Sequence, residues 1–419
     1  MDRRKGYFDS PWPGEDGGPQ RLQIPRGIRG LDIQPGEKLV STSRRLMSGN
    51  MVVLREPGEV YLMTIAMMRN RLLRLPAHSR IEKIDPVSLE PIARSPKLKA
   101  GGMWPGGFAV HRNGDLYVTY GSYCHRLDPN CELVSSFRLP KAEPYNSLVI
   151  LDNGYLVMKQ LSDTRNAVLT ILDPDTMRPV CESIETLEPS ISRLSAKGNT
   201  VYVTGTRSIF RYHWNDESGK AELDENWIFD YNQGSQQSYG WDPVISGNDA
   251  WFMDNGKHSY KVSMINAGVT PTPLNVIRVS LGDAGSNTMA AVSGIDGGSV
   301  TNPPLYCHQR KILVAYDSAN SVICGFKYDE SSGALSKIWQ KTAFGCGGHM
   351  IYYQDTAEVV TNDYKRFGDS TVVLDIESGE EKGRASLNSI SQGVIFSSPG
   401  WARDFYYLTF NSISRVEVR

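Results

Sequence analysis

The sequence lacks a hydrophobic run long enough to cross a lipid bilayer. Its most apolar stretch, EVYLMTIAMM at 59–68, is about half as long as the ~20 residues that a membrane-spanning helix needs. The N-terminal segment MDRRKGYFDSPWPGEDGGPQ has a basic cluster with no apolar segment behind it, so we do not expect this segment to be a secretory signal. Provided that the sequence is the full gene product, we expect a cytoplasmic protein with no membrane partner.

The sequence also lacks an excess of charge of one sign and a motif of closely spaced cysteines. The 45 basic and 46 acidic residues give a net charge of −1, and no long run of either sign occurs, so we expect no nucleic-acid partner. The six cysteines form no CxxC motif. In a large chain of this kind they are better explained as free, mostly buried thiols than as disulfides or a zinc site.

No long segment shows the 3.6-residue apolar period of a helix, and a repeated β pattern stands in its place. The stretch NGDLYVTYGSYCHRLDPN at 113–130 contains a turn, an apolar strand, a polar break, a second strand and an Asp-led turn. Similar units begin at Pro57, Asn153, Lys197 and Arg310. Turn–strand units that recur at roughly 45 residues predict an all-β propeller built from four-stranded blades.

The units predict eight blades, with seven as the alternative because the Gly/Ser/Thr/Asn-rich stretch 280–303 breaks the period. Their approximate ranges are 50–98, 103–140, 144–187, 189–231, 238–282, 304–344, 347–387 and 391–418. The last unit has only three apparent strands. We therefore expect an N-terminal arm, 1–48, whose strand near 38–43 joins the last blade and closes the ring formed by 49–419, so that arm and ring make one domain.

Three strand endings, KIDPVSLEPI, RLDPNCELV and ILDPDTMRPV, resemble the Asp-Pro turns of propellers outside the WD40 class. That group includes the SMP-30/gluconolactonase proteins, virginiamycin B lyase, and the YncE-like and quinoprotein-like propellers. The Gly-His and Trp-Asp signatures of WD40 repeats are absent from the expected places. The resemblance implies a propeller fold with its site at the funnel mouth. It does not rank the families, and fold alone does not set function.

Polar and aromatic residues precede nearly every predicted inner strand, and the starts of these strands surround the mouth of the funnel. The candidate substrate-binding residues among them are Trp104, Tyr239, Trp241, Asn302 and Gln392. Such a lining suits an aromatic or otherwise apolar small molecule with a few polar groups. The alternative is that these aromatic side chains cap the blades and fill the channel.

Four residues at the same positions are candidates for catalysis. His349, in CGGHMIYY, can transfer a proton near neutral pH, and the two preceding glycines allow a close approach of the backbone. Arg193 can hold a carboxylate or enolate oxygen. Asp242 can orient the base or bind a metal, and Tyr145 can donate a proton. The alternative for His349 is a histidine hydrogen-bonded within the channel.

The resemblance to the SMP-30 group also implies a divalent metal held by a Glu, an Asn and an Asp. Asn146 and Asp242 could supply two of these ligands, with Glu143 or Glu59 as the acid, and oxygen ligands suit calcium. The resulting hypothesis is a small-molecule enzyme, either a metal-assisted lactonase-like hydrolase or an acid–base lyase or isomerase. The alternative is a non-catalytic scaffold for protein interactions, with a broad exposed apolar patch and an open channel.

Overall fold

The computed structural model describes residues 5–46, 48–66, 76–101, 106–234, 236–257, 268–366 and 368–419. Within these ranges the helices and strands are all β-strands except for one short 3-10 turn at Glu15–Gly17, and turns and loops connect them. The strands form eight antiparallel sheets arranged as a ring of eight blades, which confirms the all-β propeller and the preferred blade count. Among the described residues, no helix is long and apolar enough to span a membrane.

The first four blades follow one another along the chain, and each begins with the strand that lines the central channel. The first blade contains β2 (Gly49–Leu54), β3 (Val60–Ile65), β4 (Ala77–Ile84), β5 (Pro91–Arg94) and β6 (Leu98–Gly101). The second contains β7 (Gly107–Val110), β8 (Leu116–Tyr120), β9 (Tyr123–Leu127) and β10 (Leu133–Arg138). The third contains β11 (Tyr145–Ile150), β12 (Leu156–Gln160), β13 (Val168–Asp173), β14 (Arg178–Pro179) and β15 (Ile184–Glu185). The fourth contains β16 (Ser195–Lys197), β17 (Thr200–Thr204), β18 (Ser208–Asn215) and β19 (Lys220–Asp230).

The remaining blades repeat this order, and the last borrows its outer strand from the N-terminus. The fifth blade contains β20 (Val244–Ser246), β21 (Asp249–Met253), β22 (Asn275–Ser280) and β23 (Asn287–Ala291). The sixth contains β24 (Leu305–Cys307), β25 (Ile312–Asp317), β26 (Val322–Asp329) and β27 (Ala334–Thr342). The seventh contains β28 (Ile351–Tyr353), β29 (Glu358–Asn362), β30 (Ser370–Asp375) and β31 (Glu381–Ser386). The eighth contains β32 (Ser398–Pro399), β33 (Asp404–Thr409), β34 (Ser412–Val418) and β1 (Leu39–Arg45).

The ring closes as the sequence predicts. Strand β1 pairs with β34 along its whole length, from Leu39 opposite Val418 to Arg45 opposite Ser412. The irregular stretch 280–303 supplies the outer strand of the fifth blade, β23, followed by a loop. The predicted eighth unit therefore becomes a complete four-stranded blade only when the N-terminal strand is added.

The repeated Asp-Pro turns owe their recurrence to hydrogen bonds made by the aspartate side chain. Asp85, Asp128 and Asp173 each accept a hydrogen bond at Oδ1 from a backbone amide two or three residues further on, at 3.0, 2.9 and 2.8 Å. An aspartate in this position ends one strand and sets the direction of the next. The motif is therefore structural in this protein.

The N-terminal arm enters the central channel, which the sequence pattern does not predict. Carbonyl oxygens of the arm accept hydrogen bonds from amides of the inner strands of five blades. The pairs are Leu54 N with Trp12 O, Val110 N with Pro13 O, Ala196 N with Pro19 O, Ile245 N with Gln20 O and Tyr352 N with Gln23 O, at 2.7–2.9 Å. The arm thereby satisfies inner-strand amides that have no neighbouring strand in the channel.

Candidate functional site

Six ionisable residues meet where the arm crosses the axis of the ring, and we call them the axial cluster. Its members are Glu15, Asp16 and Arg21 from the arm and Arg193, Asp242 and His349 from the segments that lead into inner strands. The side chain of each is at most 6 % exposed. The blade-derived members are three of the four residues that the sequence selects as catalytic, and the arm-derived members are new.

Arg21 links the arm to the channel wall. Its Nη2 lies 2.6 Å from Glu15 Oε2, its Nη1 lies 2.9 Å from Asp16 Oδ2, and its Nε donates to the Leu194 carbonyl at 2.9 Å. Burial opposes the charge on Arg21, but the carboxylates around it raise its pKa well above the ordinary value. The guanidinium is therefore a permanent cation inside the channel.

Asp242 and Arg193 join the cluster through one backbone hydrogen bond and several longer ion pairs. Asp242 Oδ1 accepts a hydrogen bond from the Arg193 backbone amide at 2.6 Å. Its Oδ2 lies 3.8 Å from Arg193 Nη1 and 3.9 Å from Arg21 Nη1, and Arg193 Nε lies 3.6 Å from Glu15 Oε2. Burial raises the pKa of Glu15 to about 7, and Arg21 and Arg193 only partly offset this rise. Glu15 therefore titrates near neutral pH.

His349 is paired with Asp16, not with Asp242 as the sequence suggests. Its Nδ1 lies 2.7 Å from Asp16 Oδ1. Burial works against ionisation of Asp16, but His349 and Arg21 hold the pKa of this carboxyl below its ordinary value. Because an ionised carboxylate can only accept, we assign the imidazole proton to Nδ1. The other ring nitrogen, Nε2, has no hydrogen-bond partner among the residues that the structure describes.

Phe396 brings His349 and Arg193 close together. The imidazole stacks on the Phe396 ring at a centroid distance of 3.9 Å, and the Arg193 guanidinium carbon lies 4.5 Å from the same centroid. The two groups are therefore no farther apart than the sum of these distances. This separation meets the distance requirement for two groups that act on one substrate.

The segment before His349 is fixed by its neighbours. Asn362 Oδ1 accepts hydrogen bonds from the amides of Gly347 and Gly348 at 3.1 and 3.0 Å. Asn302 Nδ2 donates to the Gly347 carbonyl at 2.6 Å, and Gln392 Nε2 donates to the Gly345 carbonyl at 3.2 Å. Asn302 and Gln392, which the sequence selects for substrate binding, thus hold the backbone that carries His349.

Gly348 must remain glycine because a Cβ there would overlap the hydroxyl oxygen of Tyr407. We expect Gly348→Ala to lower the free energy of unfolding by about 1–3 kcal/mol, since the buried tyrosine has no room to retreat. The measurement is chemical denaturation. In a Tyr407→Phe background the same substitution should cost less, and an equal cost in both backgrounds would exclude this overlap as the cause.

Tyr145 lies away from the axial cluster. Its ring packs in the core between the second and third blades with Tyr117 and Leu148. Its hydroxyl accepts a hydrogen bond from the Lys141 amide at 3.4 Å and lies 3.5 Å from Thr170 Oγ1. Because β11 alternates its side chains between two faces, Tyr145 points toward the neighbouring blade. Its suggested role as a proton donor therefore has no support from its contacts.

The candidate metal ligands are engaged by other groups. Asn146 Nδ2 donates to the Ile191 carbonyl at 2.6 Å, and its Oδ1 lies 3.4 Å from the Lys159 ammonium. Glu59 pairs with Lys83 and Arg55 in the turn after β2, at the other end of the strands. Across the described part of the chain, no three His, Cys, Asp or Glu side chains are grouped so that they could hold a metal. A calcium site stays a prediction, to be tested by elemental analysis of chelator-free protein.

The aromatic candidates have separate positions. Trp241 is buried, and its Nε1 donates to the Gly256 carbonyl at 3.3 Å. Tyr239 lies edge-on to it, with the ring centroids 6.4 Å apart. Trp104 lies outside the described residues. Trp241 therefore packs as a core residue, and Tyr239 is the more accessible of the pair.

Lys159 is a buried lysine near the axial cluster that the sequence pattern did not single out. Its Nζ lies 3.0 Å from the Ser190 carbonyl and 3.3 Å from the Gln160 carbonyl, in addition to its contact with Asn146. Burial lowers the pKa of Lys159 to about 7, and Asp242 only partly offsets this effect. The available signal was a lysine that directly follows three apolar residues within the buried strand LVMKQ.

The lowered pKa of Lys159 makes stability depend on pH. The unfolded chain keeps this proton up to a pH of about 10.4, whereas the folded protein loses it near 7. The free energy of unfolding should therefore contain a contribution that rises between pH 7 and pH 10. Lys159→Met should flatten that rise, which is measured by urea denaturation across this range. An unchanged slope would show that other groups cause it.

No protein-family model matches the sequence, and no curated protein matches it. Solved propellers are similar in fold. BamB from Moraxella catarrhalis is 11% identical, covers 91% of this chain and 99% of its own, and has a TM-score of 0.57. Virginiamycin B lyase from Staphylococcus aureus is 9% identical, with coverages of 91% and 99% and a TM-score of 0.47. The WD40 domain of coronin from Toxoplasma gondii is 8% identical, with coverages of 93% and 88% and a TM-score of 0.46.

BamB, whose TM-score exceeds 0.5, is a propeller outside the WD40 class, which confirms the predicted resemblance at the level of the fold. At identities this low the similarity extends no further than the fold. The function has to be argued from the axial cluster.

Proposed function

We propose that this protein is an enzyme that transfers a proton to or from a small molecule at the axis of the propeller, with His349 as the acid–base group. The observation that carries the proposal is the hydrogen bond between Asp16 and His349 Nδ1, which leaves Nε2 without a partner in the described structure. A carboxylate that fixes one imidazole nitrogen makes the other a better base and sets its direction.

Arg193 gives the proposed reaction its second component. Its guanidinium packs on the same Phe396 ring as the imidazole, and it can stabilise an oxygen that gains negative charge when a neighbouring C–H proton is removed. This combination suits a lyase or isomerase that acts on a substrate with a carbonyl or carboxylate group. Because His349 is only 2 % exposed, such a substrate reaches it only after side chains at the funnel mouth move aside.

The first test needs no substrate. Side-chain ¹⁵N NMR, with His349→Gln used to assign the signal, should show a neutral imidazole protonated at Nδ1 and unprotonated at Nε2. Asp16→Asn should abolish this preference for one tautomer. A His349 signal with the proton on Nε2 in the wild-type protein would contradict the proposed base.

The second test is a turnover screen of lactones, esters, and hydroxy or keto acids with acidic C–H bonds. His349→Gln and Asp16→Asn should each lower kcat by about 100-fold or more. His213→Gln, at an exposed position on β18, is the matched control and should leave kcat unchanged. Activity that survives in His349→Gln would overturn the proposal. A wild-type protein inactive throughout would favour the alternative proposal, a non-catalytic interaction scaffold.

A further inference from the structure

A separate cavity of about 340 Å³ lies beside the third blade, at the end where its inner strand begins. Its polar lining residues are Lys141, Glu143, Gln160, Arg165, Asn166 and Glu185. They come from the loop before β11, the end of β12, the loop that follows it, and β15. The volume is at the small end of the range for small-molecule sites. No residue of the axial cluster lines this cavity.

Strand register explains why these side chains face one space. Lys159 on β12 lies opposite Leu169 on β13, so the next position places Gln160 beside Val168. Val168 is in turn opposite Glu185 on β15. Cross-strand neighbours share a face of the sheet, so Gln160, Val168 and Glu185 form one row along the cavity wall. Lys159 points to the other face, toward the axial cluster.

The floor of the cavity carries a polar side chain whose amide solvent can reach. Gln160 is 3 % exposed, and its side-chain amide makes no hydrogen bond with another residue in the described part of the chain, although its atoms are not fully buried. The amide is therefore available to a ligand that enters the cavity. A ligand that supplied both a donor and an acceptor here would take the place of solvent, so Gln160 marks the floor of a binding site.

The charges around this floor are balanced in sign but only partly paired. Arg165 and Glu143 form an ion pair at the rim. Lys141 and Glu185 also lie at the rim, and neither takes part in a salt bridge within the described ranges. The cavity thus offers one unpaired cation, one unpaired anion, and amide groups between them. Among the residues that the structure describes, Val168 is the single aliphatic side chain in the lining, and no aromatic ring lines the cavity on which a sugar could stack.

We propose that this cavity binds a small zwitterion, such as a free amino acid or a dipeptide. Lys141 would hold the carboxylate, Glu185 would hold the ammonium group, and Gln160 would hydrogen-bond the polar atoms between them. The neutral sum of the lining charges matches a ligand with no net charge. The proposal goes beyond the acid–base function of the axial cluster and does not depend on it.

The test is isothermal titration calorimetry with the standard amino acids and the dipeptide Ala-Ala, using the full-length protein. At least one of these zwitterions should bind saturably at one site. Its N-acetylated and amidated forms, which each lack one charge, should bind about tenfold more weakly or worse. Glycerol at the same concentrations should not bind.

Substitutions of the lining residues test whether the zwitterion binds in this cavity. Lys141→Ala and Gln160→Leu should each weaken binding of the zwitterion by about tenfold or more, and Glu185→Ala should weaken it without affecting the N-acetylated form. Lys220→Ala, at an exposed position on β19, is the control and should bind as the wild type does. Since Lys141 and Glu185 lie at the rim, their variants should fold normally. Absence of saturable binding, or binding unchanged in Lys141→Ala and Gln160→Leu, would overturn the proposal.

Discussion

A protein that lacks residues 1–46 is expected not to fold into a stable monomer. This deletion removes β1, all seven residues of which pair with β34 and complete the eighth blade. The remaining three strands would leave the edge of β34 open, and an open edge promotes association with other chains. We expect size-exclusion chromatography with light scattering to show aggregates, and circular dichroism to show loss of the cooperative thermal transition.

A shorter deletion separates ring closure from the filling of the channel. Without residues 1–34 the protein loses the arm and its contacts with five inner strands but keeps β1. This variant should remain a folded monomer with a lower Tm, because water can reach the inner-strand amides that the arm now satisfies. If the 1–46 deletion is as stable as the 1–34 deletion, strand pairing at the ring closure contributes little.

The fold could be predicted because its signals are local. Alternating strands and Asp-led turns recur in each unit, and the three-stranded final unit requires a strand from elsewhere. The eight blades and the closing strand are confirmed. The irregular outer strand β23 was harder to delimit because Gly, Ser, Thr and Asn surround it and obscure the alternation.

Only the three blade-derived members of the axial cluster could be predicted from the sequence. His349, Arg193 and Asp242 precede inner strands, and a ring brings the starts of inner strands together. Nothing in the spacing of the arm shows that Asp16 would meet a residue more than three hundred positions away. Asp16 also has a positive φ of 50°, as does Arg21 at 54°, and these backbone conformations arise from the path of the arm through the channel.

Replacing Arg21 by methionine should cause the largest loss of stability among single substitutions in the axial cluster. Arg21 is 1 % exposed and contacts Glu15 and Asp16 directly, with Asp242 close by. Methionine keeps much of the volume but leaves Arg193 as the remaining guanidinium beside these buried carboxylates. Breaking a buried charge network in this way costs about 3–5 kcal/mol, to be measured by chemical denaturation at pH 7.5. Arg207→Met, at an exposed ion pair, is the control and should cost less than about 1 kcal/mol.

The stability lost in Arg21→Met should depend on pH, and the raised pKa of Glu15 determines whether the loss grows or shrinks as pH rises. Burial already raises the pKa of Glu15 to about 7, and loss of Arg21 removes the strongest effect that lowers it. A carboxyl with a higher pKa in the folded state destabilises the protein as pH rises from about 4.5 through 7, because the unfolded chain ionises first. The variant should therefore be closer to wild type at pH 5 than at pH 8, and Arg21→Met with Glu15→Gln should lose this difference. An equal loss at both pH values would mean that Glu15 is hydrated in the folded protein, and that the arm does not seal the channel against water.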